Sequence, residues 1–219
     1  MKKLMLLFSV ALLLVSSAVA QSKPAELEQV LDLLDRVSAS FKSVQADFVW
    51  DQYQKLVDEH DLQRGVTYFK RSGPSVDVAA DITSPYHKKL VFRNGEVQVY
   101  SFKTGEVERK DTSKSKQTVE SFLALGFGGR GHDLTRNFDV SYAGTETVNG
   151  APTYKLVLIP KTQEGRNMFP RITLWINQKT GMSEMQRLDQ GEGDYRVATF
   201  TNIKVNQKLP GDAFDLKAQ

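Results

Sequence analysis

The 219-residue sequence contains no cysteine, only three histidines and no strong excess of either charge. Without cysteine there can be no disulfide, no thiolate metal ligand, no thiol nucleophile and no lipid-modified N-terminal cysteine. Lysine and arginine number 29 against 26 acidic residues, which gives a net charge of +3. This balance argues against a nucleic-acid partner, because proteins that bind nucleic acids normally carry a basic patch and a larger positive excess.

Long hydrophobic runs are also scarce, and the longest stands at the N terminus. Two lysines precede an apolar stretch from Leu4 to Val15, and small residues follow up to Ala18-Val19-Ala20. This pattern predicts a Sec-type signal peptide over residues 1–20 that is cleaved after Ala20. A helix of this apolar stretch would be about 18 Å long, shorter than the hydrocarbon core of about 30 Å, so a membrane anchor is disfavoured. We expect a secreted, nearly neutral single domain over residues 21–219.

Two stretches of the expected mature chain have the periodicity of amphipathic helices. Between Pro24 and Phe41, apolar residues recur every three or four positions and form a single stripe. From Ser115 to Leu125 the same spacing returns, and Gly126 follows as a helix stop. The sequence therefore predicts one N-terminal helix and one helical segment in the middle of the chain.

Most of the remaining chain alternates between apolar and polar residues with a period of two. Asn94-Gly95 and Asn149-Gly150 interrupt this alternation, and the Asn-Gly dipeptide is the strongest short signal for a β-hairpin. The segments predict up to eleven short antiparallel strands, with no linker and no internal repeat. This pattern favours one mainly β domain, a barrel or half-barrel with a cover over its mouth.

Catalytic and cofactor motifs are missing or stand in the wrong context. Gly126 to Gly131 matches G-x-G-x-x-G, but it follows a predicted helix and precedes a predicted strand, so the βαβ unit of a dinucleotide site is absent. Its glycines instead favour a flexible loop or hinge. His132 and His87 accompany no hydrolase or metal motif. We predict no catalytic residue, no metal and no cofactor; a β-barrel hydrolase using His132 or His87 is an alternative.

Aromatic and aliphatic residues are enriched on the predicted strands. Most of them are expected in a packed core, and a packed β protein without a cavity is one interpretation. A half-barrel too wide for its own side chains to fill would instead leave an apolar cavity for a ligand. With one inward face assumed for each strand, the candidate lining residues are Phe48, Trp50, Tyr68, Phe92, Tyr100, Phe122, Leu123 and Trp175.

The order of segments resembles the periplasmic lipoprotein carrier family (LolA-like) over about Leu27 to Leu216. The stretches that support this resemblance are Phe41–Phe48, Gly65–Arg71, Ser84-Pro85, Leu90–Tyr100, Leu158–Lys161, Ile172–Ile176 and Asp212–Leu216. The resemblance implies an incomplete antiparallel β-barrel of about eleven strands, covered by an α-helical lid. It also implies that the acyl chains of a lipoprotein bind in the apolar concavity.

The function implied by the resemblance is that of a periplasmic, non-enzymatic chaperone, which we expect to be a monomer. Its partners would be acylated lipoproteins, the inner-membrane lipoprotein-release ABC complex and an outer-membrane acceptor. The family's lid-closing arginine falls at Arg71, and Leu31 and Leu34 are expected on the lid. The family's usual Arg-Pro doublet is broken here, since Ser72 and Gly73 precede Pro74. A periplasmic sensor or regulator that binds lipid or lipoprotein with the same half-barrel is the alternative.

Overall fold

The protein is described by a computed structural model over residues 24–73, 75–112 and 116–217. The expected signal peptide and Pro74 lie outside the described residues. The helices in these ranges are α1 (Pro24–Ser40), α2 (Lys116–Leu123), α3 (Gly131–Asn137) and α4 (Gln163–Met168), with one 3-10 turn at Gly191–Gly193. None of the described helices is both long and apolar enough to cross a membrane.

The strands of the described chain follow one another as two antiparallel meanders. They are β1 (Ser43–Gln54), β2 (Glu59–Ser72), β3 (Ser75–Ser84), β4 (Lys88–Arg93), β5 (Glu96–Ser101), β6 (Val107–Asp111), β7 (Phe138–Val148), β8 (Ala151–Pro160), β9 (Arg171–Asn177), β10 (Ser183–Asp189) and β11 (Tyr195–Val205). Both Asn-Gly predictions are confirmed. All four turn residues have positive φ, between 52° and 81°, as a type I′ hairpin turn requires.

The strands form one sheet in the order β6-β5-β4-β3-β2-β1-β11-β10-β9-β8-β7. Neighbouring strands are antiparallel throughout, and the two meanders join where β1 pairs with β11, with Phe48 opposite Phe200. Strands β6 and β7 form the two ends and are not paired with each other in the described sheet, which is therefore open. This confirms the prediction of an eleven-stranded incomplete barrel with helices.

Most of the buried apolar residues lie on one side of this sheet, which we call the inner face. Directly opposite residues share a face, and the pairs run from Val44 through Phe69 and Val78 to Phe92, all four of which are buried. The inner face continues on the second meander through Leu174 and its neighbours, which belong to a second buried cluster. The two clusters together make the core that positions the site.

Helix α1 covers this inner face because its apolar stripe turns toward it. Val30 and Leu34 pack into the cluster of the second meander, and Leu31 is also buried. Phe41, directly after the end of the helix, belongs to the cluster of the first meander. Glu26 in the first turn suits the positive end of the helix dipole.

Two short helices differ from the sequence prediction. The glycine-rich stretch was expected to precede a strand; the structure has α3 between that stretch and β7, which begins at Phe138. Helix α4 stands at a position where the sequence predicts no helix. Its start is capped by the Thr162 hydroxyl, which accepts a hydrogen bond from the Gly165 N–H at 3.1 Å. Both helices are shorter than the windows in which helical periodicity is visible.

Candidate functional site

Besides α1, the inner face is covered by Phe122–Gly131, which we call the covering segment. Its Phe127 is 0% exposed. The Phe127 ring stacks on Phe69, with ring centroids 4.3 Å apart, and meets Phe200 edge-on at 4.8 Å. The covering segment thus fills the space between the two meanders with its own aromatic side chain, next to the junction of β1 and β11.

Two glycines allow the covering segment to lie directly on its neighbours. Gly126 and Gly128 have φ of +74° and +77°, a region that residues with a side chain rarely adopt. A Cβ on Gly128 would lie 2.3 Å from the Phe41 ring, and one on Gly126 would lie 2.4 Å from Ser183 Cβ. The glycine-rich stretch is therefore a closely packed loop between α2 and α3, in a helix–loop–helix context.

Arg71 on β2 joins the covering segment to the end of α1. Its Nη2 donates to the Gly128 carbonyl at 2.7 Å, to the Ser38 hydroxyl at 3.2 Å and to the Ser38 carbonyl at 3.4 Å. Its Nε donates to the Phe41 carbonyl at 3.2 Å. One guanidinium from the sheet thus bonds both elements that cover the inner face. Its part in lid closure stays a prediction.

A cleft of about 500 Å³ opens beside Arg71 at the rim of the sheet. It lies where the end of α1, the start of β3, α2 and α3 meet. Its lining mixes three arginines with two acidic residues and small or apolar ones; among them are Arg71, Arg130, Arg136, Glu120, Asp133 and Val76. The cleft therefore has a mixed polar and apolar lining, and one of its residues, Gly128, directly follows the buried Phe127.

Five of the predicted lining residues are brought to the inner side. Phe48 and Phe92 are 2% and 1% exposed, and Trp50 packs on Phe48 with ring centroids 4.4 Å apart. Leu123 of α2 packs against the same cluster, and Phe122 against the cluster of the second meander. Leu31 and Leu34, expected on the lid, are buried on α1. Acyl-chain contact by any of these residues stays a prediction.

The other three predicted lining residues lie on the outer face, so their assignment to the concave surface is wrong. Tyr68 precedes the inward Phe69 on β2. Tyr100 pairs with Lys89. The adjacent pair, Leu90 and Val99, points inward, so Tyr100 points outward. Trp175 alternates with the inward Leu174 and Ile176.

The outer face has contacts of its own, which is why aromatic residues occur there. Trp175 donates from Nε1 to Glu146 at 2.6 Å, and Lys155 Nζ lies 5.1 Å from the centre of its ring. Near Tyr68 and Tyr100 the C-terminal stretch packs on the sheet: Lys89 Nζ donates to the Asp212 carbonyl at 2.9 Å. Burial raises the pKa of Tyr68, with smaller contributions from nearby carboxylates that include Asp212.

Several inner residues were missed by the sequence prediction. They are Phe41, Phe69, Phe127, Met182 and Phe200. Phe69 could have been found from strand pairing, because it stands opposite Val44 on the same face as Phe48. Phe127 gives no such signal, since it lies in a glycine-rich loop without periodicity.

The three histidines all contact carboxylates. His87 Nε2 lies 2.8 Å from Asp81, and His60 Nδ1 lies 2.7 Å from Asp51. His132 lies between Glu28 and Asp35 of α1. Among the described residues, none of these rings hydrogen-bonds a hydroxyl group, the contact that would activate a serine or threonine nucleophile.

The His132 group is the one place where donor atoms suited to a cation gather in the described chain. Single donor atoms of Glu28, Asp32 and His132 lie within 4.8 Å of one another, and all three side chains are at least partly exposed. Both ring nitrogens of His132 already face carboxylates, so the group is an ion-pair cluster.

Comparison with known proteins gives consistent matches over most of the chain. The family model described as outer membrane lipoprotein carrier protein LolA matches residues 39–217. The outer-membrane lipoprotein carrier protein of Pseudomonas fluorescens (strain Pf-5) is 25% identical over 212 residues, which cover 96% of this chain and 91% of that protein. These matches confirm the resemblance seen in the order of the segments.

Solved structures share the fold at low sequence identity. The crystal structure of MucB matches 89% of this chain with a TM-score of 0.55 and 17% identity. This chain spans 63% of the MucB chain, less than two thirds of its length. The lipoprotein LppX of Mycobacterium tuberculosis has a TM-score of 0.52 and 15% identity, covering 86% of this chain and 99% of LppX. At these identities the likeness concerns the fold alone.

Proposed function

The chain belongs to the family of the outer membrane lipoprotein carrier protein LolA, and from this we propose that it is a periplasmic, non-enzymatic lipoprotein carrier. In this proposal the acyl chains bind on the inner face of the sheet. The protein takes acylated lipoproteins from the inner-membrane lipoprotein-release ABC complex and hands them to an outer-membrane acceptor. The observation that carries the proposal is an apolar inner face covered by α1 and the covering segment, with Arg71 bonded to both.

The energetics of acyl transfer favour such a covered site. Burying an acyl chain of about 16 carbons is worth up to about 13 kcal/mol, at about 0.8 kcal/mol per methylene. A permanently open apolar cavity would therefore hold its cargo too tightly to deliver it. In the closed state described here, Phe127 and α1 occupy the apolar surface themselves. Loading exchanges these internal contacts for acyl contacts, so the net affinity is a difference between two similar terms.

A sensor or regulator is the second candidate, favoured by one finding. The fold is shared with MucB, for which a complex with MucA of Pseudomonas aeruginosa has been solved, with a TM-score of 0.52 to this chain. A half-barrel of this kind can therefore hold a protein partner. Because this chain spans only 61% of that MucB chain, the carrier remains the function that we propose.

The proposal is tested by native mass spectrometry of the protein purified from a bacterial periplasm, with lipid extraction of the same sample. We expect bound lipoprotein or acyl lipid on the wild-type protein. Leu123→Asp places a charge beside the inner cluster and should abolish the bound mass. Leu56→Asp makes the same chemical change at the tip of the β1–β2 hairpin, where the side chain is 95% exposed, and should leave it intact.

The outcomes separate the candidate functions. Equal loss of the bound mass in both variants, or a protein that stays free of lipid after incubation with lipoprotein in detergent, would contradict acyl binding. If lipid binds as expected, depletion of the protein followed by outer-membrane fractionation distinguishes the two candidates. A carrier requires lipoproteins to remain at the inner membrane after depletion, whereas a sensor leaves their sorting unchanged.

A further inference from the structure

His132, at the start of α3, makes close polar contacts with α1. Its Nδ1 lies 2.6 Å from Asp35 Oδ2, and its Nε2 lies 2.8 Å from Glu28 Oε1. Both carboxylates stand on α1, two helical turns apart, and the imidazole lies between them. The backbone N–H of His132 also donates to Asp35 Oδ1 at 3.3 Å.

The two ring contacts can both be hydrogen bonds to carboxylates only if His132 is protonated. A neutral imidazole carries one N–H and one lone pair, so it can donate to only one of the two carboxylates and repels the other. The imidazolium donates from both nitrogens. We propose that His132 is a proton-dependent clasp: its protonated ring holds α1 against α3 over the inner face, and loss of the proton loosens α1.

The clasp joins α1, which covers the inner face, to α3, which is fixed to the sheet. Helix α3 leads directly into β7, and Lys161 Nζ at the end of β8 donates to the Thr135 carbonyl of α3 at 2.6 Å. The helices approach closely here, since a Cβ on Gly131 would lie 2.2 Å from the Leu31 carbonyl oxygen. Loosening the clasp therefore frees α1 from α3 without disturbing the sheet.

The charges around the ring favour its protonated form. Helix α1 presents Glu28, Asp32 and Asp35 to it. Arg130, on the loop before α3, lies 3.9 Å from Asp35. On α3 itself Asp133 and Arg136 pair with each other at 3.1 Å, and Lys161, just after β8, lies 3.8 Å from Asp139 of β7.

The pKa values of the pair shift in the direction that the contacts require. Hydrogen bonds to Glu28 and then to Asp35 raise the pKa of His132 above its ordinary value of about 6.5. Burial acts to raise the pKa of Asp35, but the hydrogen bonds from His132 outweigh it and the pKa is lowered. Because the pKa of His132 is raised in the folded state, the clasp is complete below about pH 6.5 and is lost as the pH rises through the raised value.

Nuclear magnetic resonance of the full mature chain tests the clasp directly, with a chelator present to exclude metal ions. The His132 ring is titrated, and amide protection factors of α1 are compared at one pH below and one pH above the midpoint of that titration. We expect protection near Leu31 to fall several-fold as His132 loses its proton. In His132→Gln the protection should be low at both pH values. His60→Gln removes an imidazole that pairs with Asp51 on the β1–β2 hairpin and should behave as wild type.

Glu28→Gln provides a second test in which both helices keep their backbone contacts. It should lower the titration midpoint of His132 and reduce the change in α1 protection. Protection of α1 that stays constant while His132 titrates would overturn the proposal. So would a pH response that persists in His132→Gln.

Control of cargo entry by the clasp rests on the proposed function. Uptake of a fatty-acid probe distinguishes failure of the clasp from failure of acyl binding. If both proposals hold, fluorescent cis-parinaric acid should bind several-fold faster at the higher pH in wild type, and at the faster rate throughout in His132→Gln. Loosening of α1 without any uptake of the probe would support the clasp and contradict acyl binding. Uptake that is independent of pH while α1 loosens would overturn control of entry by the clasp.

Discussion

At the scale of single residues, Arg71 is the side chain that joins α1 and the covering segment to the sheet. Its guanidinium holds the ends of two elements that are distant in sequence, through the carbonyls of Ser38, Phe41 and Gly128. Hydrogen bonds from a charged donor contribute more than neutral ones, about 1.5–3 kcal/mol each. The same bonds must break before α1 and the covering segment can separate from the rim of the sheet.

If the protein carries lipoproteins as proposed, we predict that Arg71→Leu shifts it toward the loaded state, because the substitution removes bonds that join α1 and the covering segment to the sheet. The variant should take up lipoprotein and release it to an acceptor several-fold more slowly than wild type. Arg93→Leu is a matched control, since Arg93 pairs with Asp77 on the outer face. Release from purified complexes into acceptor-containing liposomes measures the effect. Normal uptake and release by Arg71→Leu would exclude a switching role.

At the scale of elements, the covering segment shows what sequence periodicity can and cannot predict. The helical stretch that became α2 and the glycine stop after it were predictable from spacing. The position of Phe127 was not, because a loop has no repeat that points one side chain inward. In strands the period of two is visible, yet it does not say which face is inward. On β9, Leu174 and Trp175 are both apolar and both buried, on opposite faces.

The close packing of the covering segment gives a prediction for its glycines. Gly128→Ala should lower the free energy of unfolding by more than Gly105→Ala, although both glycines have positive φ, +77° and +72°. Alanine at Gly105 meets nothing within 4 Å and bears only the backbone cost of about 1–2 kcal/mol. At Gly128 the added methyl also overlaps the Phe41 ring, which should add about 1–3 kcal/mol. Urea denaturation of both variants measures the difference. Equal losses in the free energy of unfolding would show that the covering segment accommodates the added methyl group at no cost, which would contradict its close packing.

At the scale of the whole molecule, the sheet consists of two meanders that meet at a single junction, β1 with β11. The number of strands was predictable, since the strands have alternation and turn signals; the choice of an incomplete over a closed barrel came from the resemblance. The pairing of the first strand with the last was not visible in any local pattern and was found only in the structure. The junction makes one continuous inner face out of two separate stretches of chain.

We predict that the two meanders unfold together, because they share this junction and the covering segment that packs on it. The two tryptophans report on different halves: Trp50 lies on β1 and Trp175 on β9. Single-tryptophan variants, Trp50→Phe and Trp175→Phe, should show fluorescence transitions in urea that coincide with far-ultraviolet circular dichroism of the same variant. A fluorescence transition that precedes the loss of secondary structure in either variant would reveal independent units.

Because β1 pairs with β11, the sheet cannot be completed until the last strand has been synthesised. A chain that emerges N-terminus first presents β1 to solvent while the chain up to Tyr195 has still to follow. Until then one edge of β1 is unpaired and its apolar side lacks Phe200. Contacts between such distant segments form slowly, and exposed edges invite association with other chains. The interval between the arrival of the first strand and the last is thus when this protein most needs protection from aggregation.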